Sequence, residues 1–250
     1  MVKRVIALLL VLAVGGMFAL LLAGYSPDAE LNQTARYYAE HTARDVGAAN
    51  IVTAIVVTYR GLDTLGEVTV LFLAATIVGL VLALGASPGR ASHAPAPLVP
   101  VGELLTTGSR YLAPLILLLG VYIFANGHLT PGGGFQGGAV IASGALLLLL
   151  ADPLKHFSHG LIAAVESVAG VSYVIMGLLG LVLAGGFLDN RFLALGTLGN
   201  LFSAGAIPVI YSLIGLKVGA ELSSLLAHLS ETRAELVNEP TGNEPTGEET

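Results

Sequence analysis

The sequence predicts an all-α, polytopic membrane protein, and three observations lead to that fold class. Of the 250 residues, 54% are hydrophobic and only 11% are charged, whereas soluble globular proteins carry about 25% charged residues. The mean hydropathy is +0.81. The apolar residues also come in runs of a length that suits a bilayer core roughly 30 Å thick. Cysteine is absent, which excludes a disulfide framework, a thiolate metal site and a cysteine nucleophile.

About six apolar runs are predicted to span the membrane. Val5–Ala23 follows Lys3 and Arg4 and is longer than the apolar region of a signal peptide, which has about 7–15 residues, so we expect it to be the first span. The later spans are predicted at Val68–Leu84, Tyr111–Ala125, Phe135–Leu150, Leu161–Ala184 and Leu201–Leu226.

Val46–Tyr59 decides between six and seven spans. This apolar run has only about 14 residues, which is too few to cross the bilayer core. As a half-helix at the outer surface it leaves six spans, and as a full span it makes seven. We prefer six, with both termini in the cytoplasm of a prokaryotic cell, because positive residues then collect on the cytoplasmic side. These are Lys3, Arg4, Arg90, Arg110, Lys155, Lys217 and Arg233.

The chain is predicted to consist of two units joined by a Pro-rich linker. The linker covers residues 87–108 and separates an N-terminal unit, residues 1–86, from a four-helix unit, residues 109–228. Residues 229–250 are acidic and contain the sequence EPTG twice. Such a composition is typical of disorder.

Gly127–Gly138 has the sequence GHLTPGGGFQGG and lies between two predicted spans. Glycine allows close backbone approach, and Pro131 suits a helix start. We predict a tight turn and then a helix with a bare face, against which another helix packs closely. In the last span, Gly215 and Gly219 form a separate GxxxG packing face. The GxGxxG pattern at residues 132–137 matches a dinucleotide fingerprint, but that motif requires a preceding strand, so we reject it.

Ionisable residues in or beside apolar spans are functional candidates, because burying them is costly. Arg60, Asp63 and Glu67 are spaced to share one helical face and could hold a proton or a sodium ion. Alternatively, Asp63 and Thr64 cap a helix, with Glu67 at capping-box spacing from Thr64. His128 could relay protons near neutral pH, or it is an interfacial residue hydrogen-bonded to a carbonyl.

Two further candidates lie inside predicted spans. Glu166 shares a helical face with Tyr173, and its carboxyl would be protonated, paired or hydrated; alternatively it reaches the membrane interface. Lys217 and Glu221 form an i,i+4 pair, which suits a proton or cation path. In the other interpretation, Lys217 snorkels from a helix end.

Two stretches resemble known families. GHLTPGGGFQGGAV, together with IPVIYSLIGLKVGAELS at Ile207–Ser223, closely resembles the MnhB family, the B-type subunits of the Mrp-type multisubunit Na⁺/H⁺ antiporters, and the similarity extends over roughly Arg110–Leu226. Gly47–Ala75 is similar to the C-terminal part of the large, A-type antiporter subunit. It is also similar to the E-type subunit of energy-converting membrane-bound hydrogenases and related sulfur reductases.

The resemblance implies a membrane subunit of a cation (Na⁺)/proton antiporter module, assembled with other membrane subunits. We expect Na⁺ and H⁺ to be the transported ions, and no catalytic centre, metal, cofactor or nucleic-acid partner in this chain. The resemblance points to an ion path at Arg60, Asp63, Thr64, Glu67, His128, Lys217 and Glu221, and to a structural turn at Pro131, Gly132, Gly133, Gly134 and Phe135.

Taking the residues together, we predict conduction along a hydrated chain of Glu67, Glu166 and Lys217. The main alternative is a scaffold subunit, without an ion path, in a membrane-bound hydrogenase or sulfur reductase that has an antiporter-like module and a redox arm. A self-contained transporter is less favoured, because the two units show no inverted repeat.

Overall fold

The structure, a computed structural model, describes residues 2–26, 30–85, 102–152 and 157–238. Within these ranges every regular element is helical and there is no strand, so the predicted all-α class is confirmed. The α-helices, numbered α1 to α8 in chain order, are Val2–Ala23, Gln33–Asp45, Ile51–Ala54, Gly61–Gly85, Glu103–Ala125, Gly134–Ala151, His159–Ala184 and Ile207–Asn238. A π-helical turn, Ile55–Tyr59, follows α3, and a 3₁₀ turn, Asn190–Phe192, precedes α8.

Six of the described helices are long and apolar enough to cross a membrane, namely α1, α4, α5, α6, α7 and α8. The segment that left six or seven spans open, Val46–Tyr59, contains only α3 and the π-helical turn. Asn50 begins α3 by accepting hydrogen bonds from the amides of Val52 and Thr53. Arg60 leaves the helical region after the turn, with φ −127° and ψ 35°. This segment is therefore too short to span, and the prediction of six spans is confirmed.

Three helix boundaries differ from those that hydropathy predicted. Helix α4 starts at Gly61, so Asp63 and Thr64 lie inside its first turn and the helix-cap interpretation is wrong. Helix α5 starts at Glu103, within the predicted linker. Helix α8 continues to Asn238, so the tail predicted for residues 229–250 begins too early. The remaining linker, residues 87–101, and residues 239–250 lie outside the described ranges.

The chain folds as two compact units, residues 1–39 and 40–250. In the first, α1 is an apolar helix with no buried residue. In the second, α8 is the central helix, because it packs against α4, α5, α6 and α7. Apolar residues of α8, including Ile210, Ile214 and Val218, are almost completely buried. Burial of apolar area is the main stabilising term within such a core.

Glycines bring α6 into close contact with α5 and α8, which confirms the small-residue face predicted for this helix. A Cβ on Gly137 would lie 2.6 Å from the Gly120 carbonyl oxygen of α5, and a Cβ on Gly138 would lie 2.9 Å from the Gly215 carbonyl oxygen of α8. Neither distance leaves room for a methyl group, so the backbones touch directly. The GxGxxG pattern therefore contributes to helix packing, and no strand precedes it among the described residues.

Candidate ion path

A lysine and two glutamates meet between α7 and α8, inside the second compact unit. The Lys217 Nζ lies 3.1 Å from Glu221 Oε2 and 3.6 Å from Glu166 Oε1. The side chains of Lys217 and Glu221 are only 10% and 2% exposed. The Nζ also lies 4.9 Å from the centre of the Phe72 ring of α4, a distance typical of a cation–π contact. We call Glu166, Lys217 and Glu221 the buried triad.

Local sequence positions two members of the triad, and helix packing supplies the third. Lys217 and Glu221 are neighbours on α8 because residues four apart share a helix face. Glu166 comes from α7, and the aliphatic stem of Lys217 runs past Gly170 of the same helix, whose added Cβ would lie 3.5 Å from Lys217 Cε. Lys217 and Glu166 turn toward each other, which favours the paired alternative for the Glu166 carboxyl and the ion-path alternative for Lys217 and Glu221.

The triad has one more carboxylate than it has ammonium groups. If all three groups are ionised, the formal charge is −1, which one proton or one monovalent cation would balance. Glu221 Oε1 is buried and has no hydrogen-bond partner among the described residues. Burying a charged oxygen without a partner is costly, so this oxygen is where such a proton or cation would bind.

A cavity of about 240 Å³ adjoins the triad. Glu166, Glu221, Ser224 and His228 line it from α7 and α8, and Phe72, Ala75, Thr76 and Gly79 line it from α4. A polar cavity of this size has room for several water molecules. The triad is therefore next to a space that can be hydrated.

The predicted group at the start of α4 does not join the triad. Arg60 and Asp63 form an ion pair one turn apart, with both side chains at least half exposed. Thr64 is buried and donates to the Val56 carbonyl at 2.6 Å, which ties the π-helical turn to α4. Glu67 is exposed and interacts electrostatically with Tyr173 of α7. The Tyr173 hydroxyl is itself buried without a partner among the described residues.

His128 is fully buried beside the glycine-rich turn. Its Nε2 lies 3.4 Å from the Asn200 carbonyl oxygen, which is the arrangement of the carbonyl-bonded alternative. Nδ1 is buried without a partner in the described part of the chain. Burial lowers the pKa of His128 below its ordinary value of 6.5, against a smaller opposite effect of the neighbouring carbonyls.

The glycine-rich turn surrounds a tyrosine of α8. An added Cβ would lie 2.7 Å from the Tyr211 ring if placed on Gly127, and 3.2 Å from its hydroxyl if placed on Gly133. The Tyr211 hydroxyl donates to Thr53 Oγ1 at 3.1 Å, and Thr53 in turn donates to the Gly127 carbonyl at 2.6 Å. The turn thus holds α3, α6 and α8 together. Pro131 is exposed before the helix, and Phe135 is partly buried against the core.

Several polar residues that join the segments were not predicted. Asn50 donates to the carbonyls of Gly127 and Thr130, and the buried Asn190 donates to those of Val46 and Ala204. At the other end of α7 and α8, His159 pairs with Glu231 at 2.7 Å. These partners are far apart in sequence, so no local spacing reveals them.

Two family models match the chain. Residues 104–224 match a domain related to the MnhB subunit of the Na⁺/H⁺ antiporter, and residues 2–92 match the MbhE family, the E-type subunit of MBH. An uncharacterised protein of Methanocaldococcus jannaschii is 32% identical over 203 residues, which are 72% of this chain and 77% of that protein.

Two solved complexes contain similar chains. A chain of the membrane-bound sulfane sulfur reductase, an archaeal respiratory membrane complex, is 44% identical, with a TM-score of 0.76 over 92% of this chain and 98% of that chain. A chain of the Mrp complex from Dietzia sp. is 27% identical, with a TM-score of 0.73, and the match covers 97% of this chain but 27% of that chain.

The fold and these similarities define the class: a multi-pass subunit of a cation/proton antiporter-like membrane module, which is a hetero-oligomer. More closely, the chain carries an MbhE match and an MnhB-like domain, and it belongs to the same family as the protein of Methanocaldococcus jannaschii. The resemblance seen in the sequence is thereby confirmed for both stretches.

Proposed function

We propose that the buried triad is part of the path along which the parent complex moves protons and a cation, with Na⁺ as the expected cation. The observation that carries this proposal is a lysine flanked by two glutamates inside an apolar helical bundle. Ionisable groups at such positions are costly and typically mark an ion or proton path. The cavity beside the triad has room for the water that proton transfer requires.

Glu67, unlike the triad, is exposed, and its part in the path depends on a neighbouring protein chain. It is exposed on the membrane-spanning helix α4, where contact with lipid would be unfavourable. In the assembled complex a neighbouring protein chain would cover it, and the Tyr173 hydroxyl would lie between Glu67 and the triad. Arg60 and Asp63 neutralise each other at the surface and have no part in the path that we propose.

For the parent complex, we propose a respiratory complex of the sulfane sulfur reductase kind. The match to that structure covers nearly the full length of both chains and has the higher identity of the two. The matched chain of the Mrp complex is much longer than this one, since only 27% of it is covered. Gentle purification of the native complex and identification of its subunits tests this part, because a set of antiporter subunits without a redox arm would contradict it.

The path is tested by removing one carboxylate at a time. Glu221→Gln and Glu166→Gln keep the side-chain size but remove the charge. In the intact complex, reconstituted in liposomes, we expect each variant to lower the cation-dependent proton flux by at least about 10²-fold. The matched control is Glu103→Gln, because Glu103 is exposed in the first turn of α5.

Full flux in both triad variants would contradict the proposal. It would instead support the scaffold function, which the close glycine contacts of α6 favour. A scaffold tolerates Glu→Gln in the triad but not a bulky residue at Gly133, whose Cβ would already touch Gln136 and Tyr211. Co-purification of the other subunits must be checked for each variant before its flux is compared.

A further inference from the structure

Helices α7 and α8 carry matching polar stripes that continue beyond the triad. His159, Glu166 and Tyr173 recur every seven residues on α7, and Lys217, Glu221, Ser224, His228 and Glu231 follow at alternating steps of four and three on α8. Seven residues make nearly two helical turns, so each set lies on one face. The α8 stripe is about 21 Å long, at 1.5 Å per residue.

Ion pairs join the two stripes at two levels. Glu166 meets Lys217 at 3.6 Å, and His159 Nε2 meets Glu231 Oε1 at 2.7 Å. The rings of His159 and His228 lie 5.0 Å apart, centre to centre. The second level is therefore a cluster of two imidazoles and one carboxylate, which we call the histidine cluster.

The cavity adjoins both groups, because His228 of the histidine cluster and Glu166 and Glu221 of the triad all line it. Ser224, which also lines it, lies between Glu221 and His228 along α8. Side-chain exposure falls from 46% at His159 and 27% at Glu231 to 2% at Glu221. The polar stripe thus leads from solvent, through a space that can hold water, to a buried carboxylate oxygen without a partner in the described structure.

We infer that His159, His228 and Glu231 are the proton port of the buried triad. Imidazole is the side chain best suited to accept and release protons near neutral pH. His228 Nδ1 lies 2.8 Å from the Ser224 carbonyl oxygen, so Nδ1 carries the hydrogen and Nε2 is the nitrogen that exchanges a proton. A proton taken from solvent by His159 passes to His228 and then, through cavity water, to Glu221. No bond other than N–H and O–H is made or broken.

Among the residues that the structure describes, the charged groups around this route come from α7 and α8. On α7 they are His159 and Glu166, and on α8 they are Lys217, Glu221, His228 and Glu231. Helix α4 contributes only uncharged residues to the described cavity lining. The inference rests on the proposed path, since a port has no use without a buried proton acceptor.

The test uses His228→Ala and His159→Ala in the intact complex, reconstituted in liposomes, with proton flux measured from about pH 6 to about pH 9, a range that brackets the usual pKa of imidazole. We expect the flux to fall at least about tenfold, most strongly at alkaline pH, where protons are scarce. Added imidazole should restore it, because a small base can enter the vacated space. His41→Ala is the matched control, because His41 is a histidine of α2 that does not line the cavity.

Unchanged flux and pH profile in both variants would overturn the port. A loss that imidazole does not restore, in a complex with all its subunits, would also overturn it, since that is the behaviour of a structural residue. Glu221→Gln in the same assay separates this failure from that of the path. If Glu221→Gln is inactive while both histidine variants are fully active, the path stands without the port. If Glu221→Gln and Glu166→Gln are both fully active, the path itself fails.

Discussion

At the scale of single residues, burial distinguishes between the two interpretations of His128. Its position beside the glycine-rich turn suggested a proton relay, with a carbonyl-bonded residue as the alternative. In the structure its ring is buried and faces the Asn200 carbonyl, while its own carbonyl accepts from the Asn50 amide at 3.0 Å. Because burial lowers the pKa of this ring, His128 is neutral at pH 7 and joins α3 to the turn.

We predict that His128 makes the protein less stable in acid. Above about pH 6.5, the ring is neutral in both the folded and the unfolded chain. As the pH falls below that value, the unfolded chain takes up a proton while the folded chain resists, so the free energy of unfolding decreases. The midpoint of thermal unfolding of the purified complex should therefore be lower at about pH 5.5 than at about pH 7.5, which lie on either side of the ordinary histidine pKa.

The comparison for this prediction is His128→Gln, which keeps a hydrogen-bond donor but cannot titrate. Its unfolding midpoint should change less between the two pH values, even if it is lower throughout. An equally steep decrease in the variant would mean that other groups cause the acid sensitivity.

At the scale of helices, the sequence predicted the spans well, because length and hydropathy are local properties. It also predicted the Lys217–Glu221 pair, which depends only on helical spacing. It grouped Glu166 with Lys217 in one predicted path but could not give their direct contact, since the register of α7 against α8 is set by tertiary packing. The His159–Glu231 pair was missed for the same reason, although the seven-residue recurrence of polar residues on α7 was a signal that could have revealed it.

The close packing of α6 against α8 leads to a prediction about a single methyl group. In Gly138→Ala, the new Cβ would lie 2.8 Å from Val218 Cβ and 2.9 Å from two backbone atoms of α8. Backbone atoms cannot rotate away, so the two helices must separate, at a cost of about 1–3 kcal/mol. We expect a lower midpoint of thermal unfolding and weaker retention of the other subunits in detergent.

Gly108→Ala is the matched control for this helix contact. Gly108 lies in α5, and no described atom outside its own helix backbone and chain neighbours lies within 4 Å of its added Cβ. Alanine should therefore be neutral or stabilising by up to about 1 kcal/mol through its helix propensity. Equal effects of the two substitutions would show that helix propensity, and not the α6–α8 contact, determines the result.

At the scale of the whole molecule, the compact units do not follow the family boundaries. The two family models meet between residues 92 and 104, whereas residues 40–85 belong to the same compact unit as α5 to α8. The composition of the Pro-rich stretch suggested a boundary between two fused units, and that division remains a prediction. Composition could not reveal that Asn50, Thr53 and Asn190 link the two parts, because each of their partners across the junction lies more than 70 residues away in sequence.

These buried contacts predict that the two parts associate without a covalent connection. If residues 1–92 and 93–250 are expressed together as separate chains, we expect a tag on one part to recover the other from detergent-solubilised membranes. Each of the hydrogen bonds from Asn50, Thr53 and Asn190 contributes about 1 kcal/mol, in addition to the burial of Val46, Val57 and Val68 in the shared core. Recovery of the tagged part alone would contradict the prediction.

Asn190→Ala in the divided protein then tests which contacts hold the parts together. Asn190 is fully buried, and its side chain donates to Val46 across the junction at 2.8 Å, so its loss leaves a buried carbonyl without its donor and costs about 1–3 kcal/mol. We expect clearly reduced recovery of residues 1–92. Asn126→Ala is the control, since the Asn126 side chain donates to Tyr122 of the preceding helix α5 and not across the junction. If both variants recover the partner equally well, apolar burial alone is sufficient to hold the parts together.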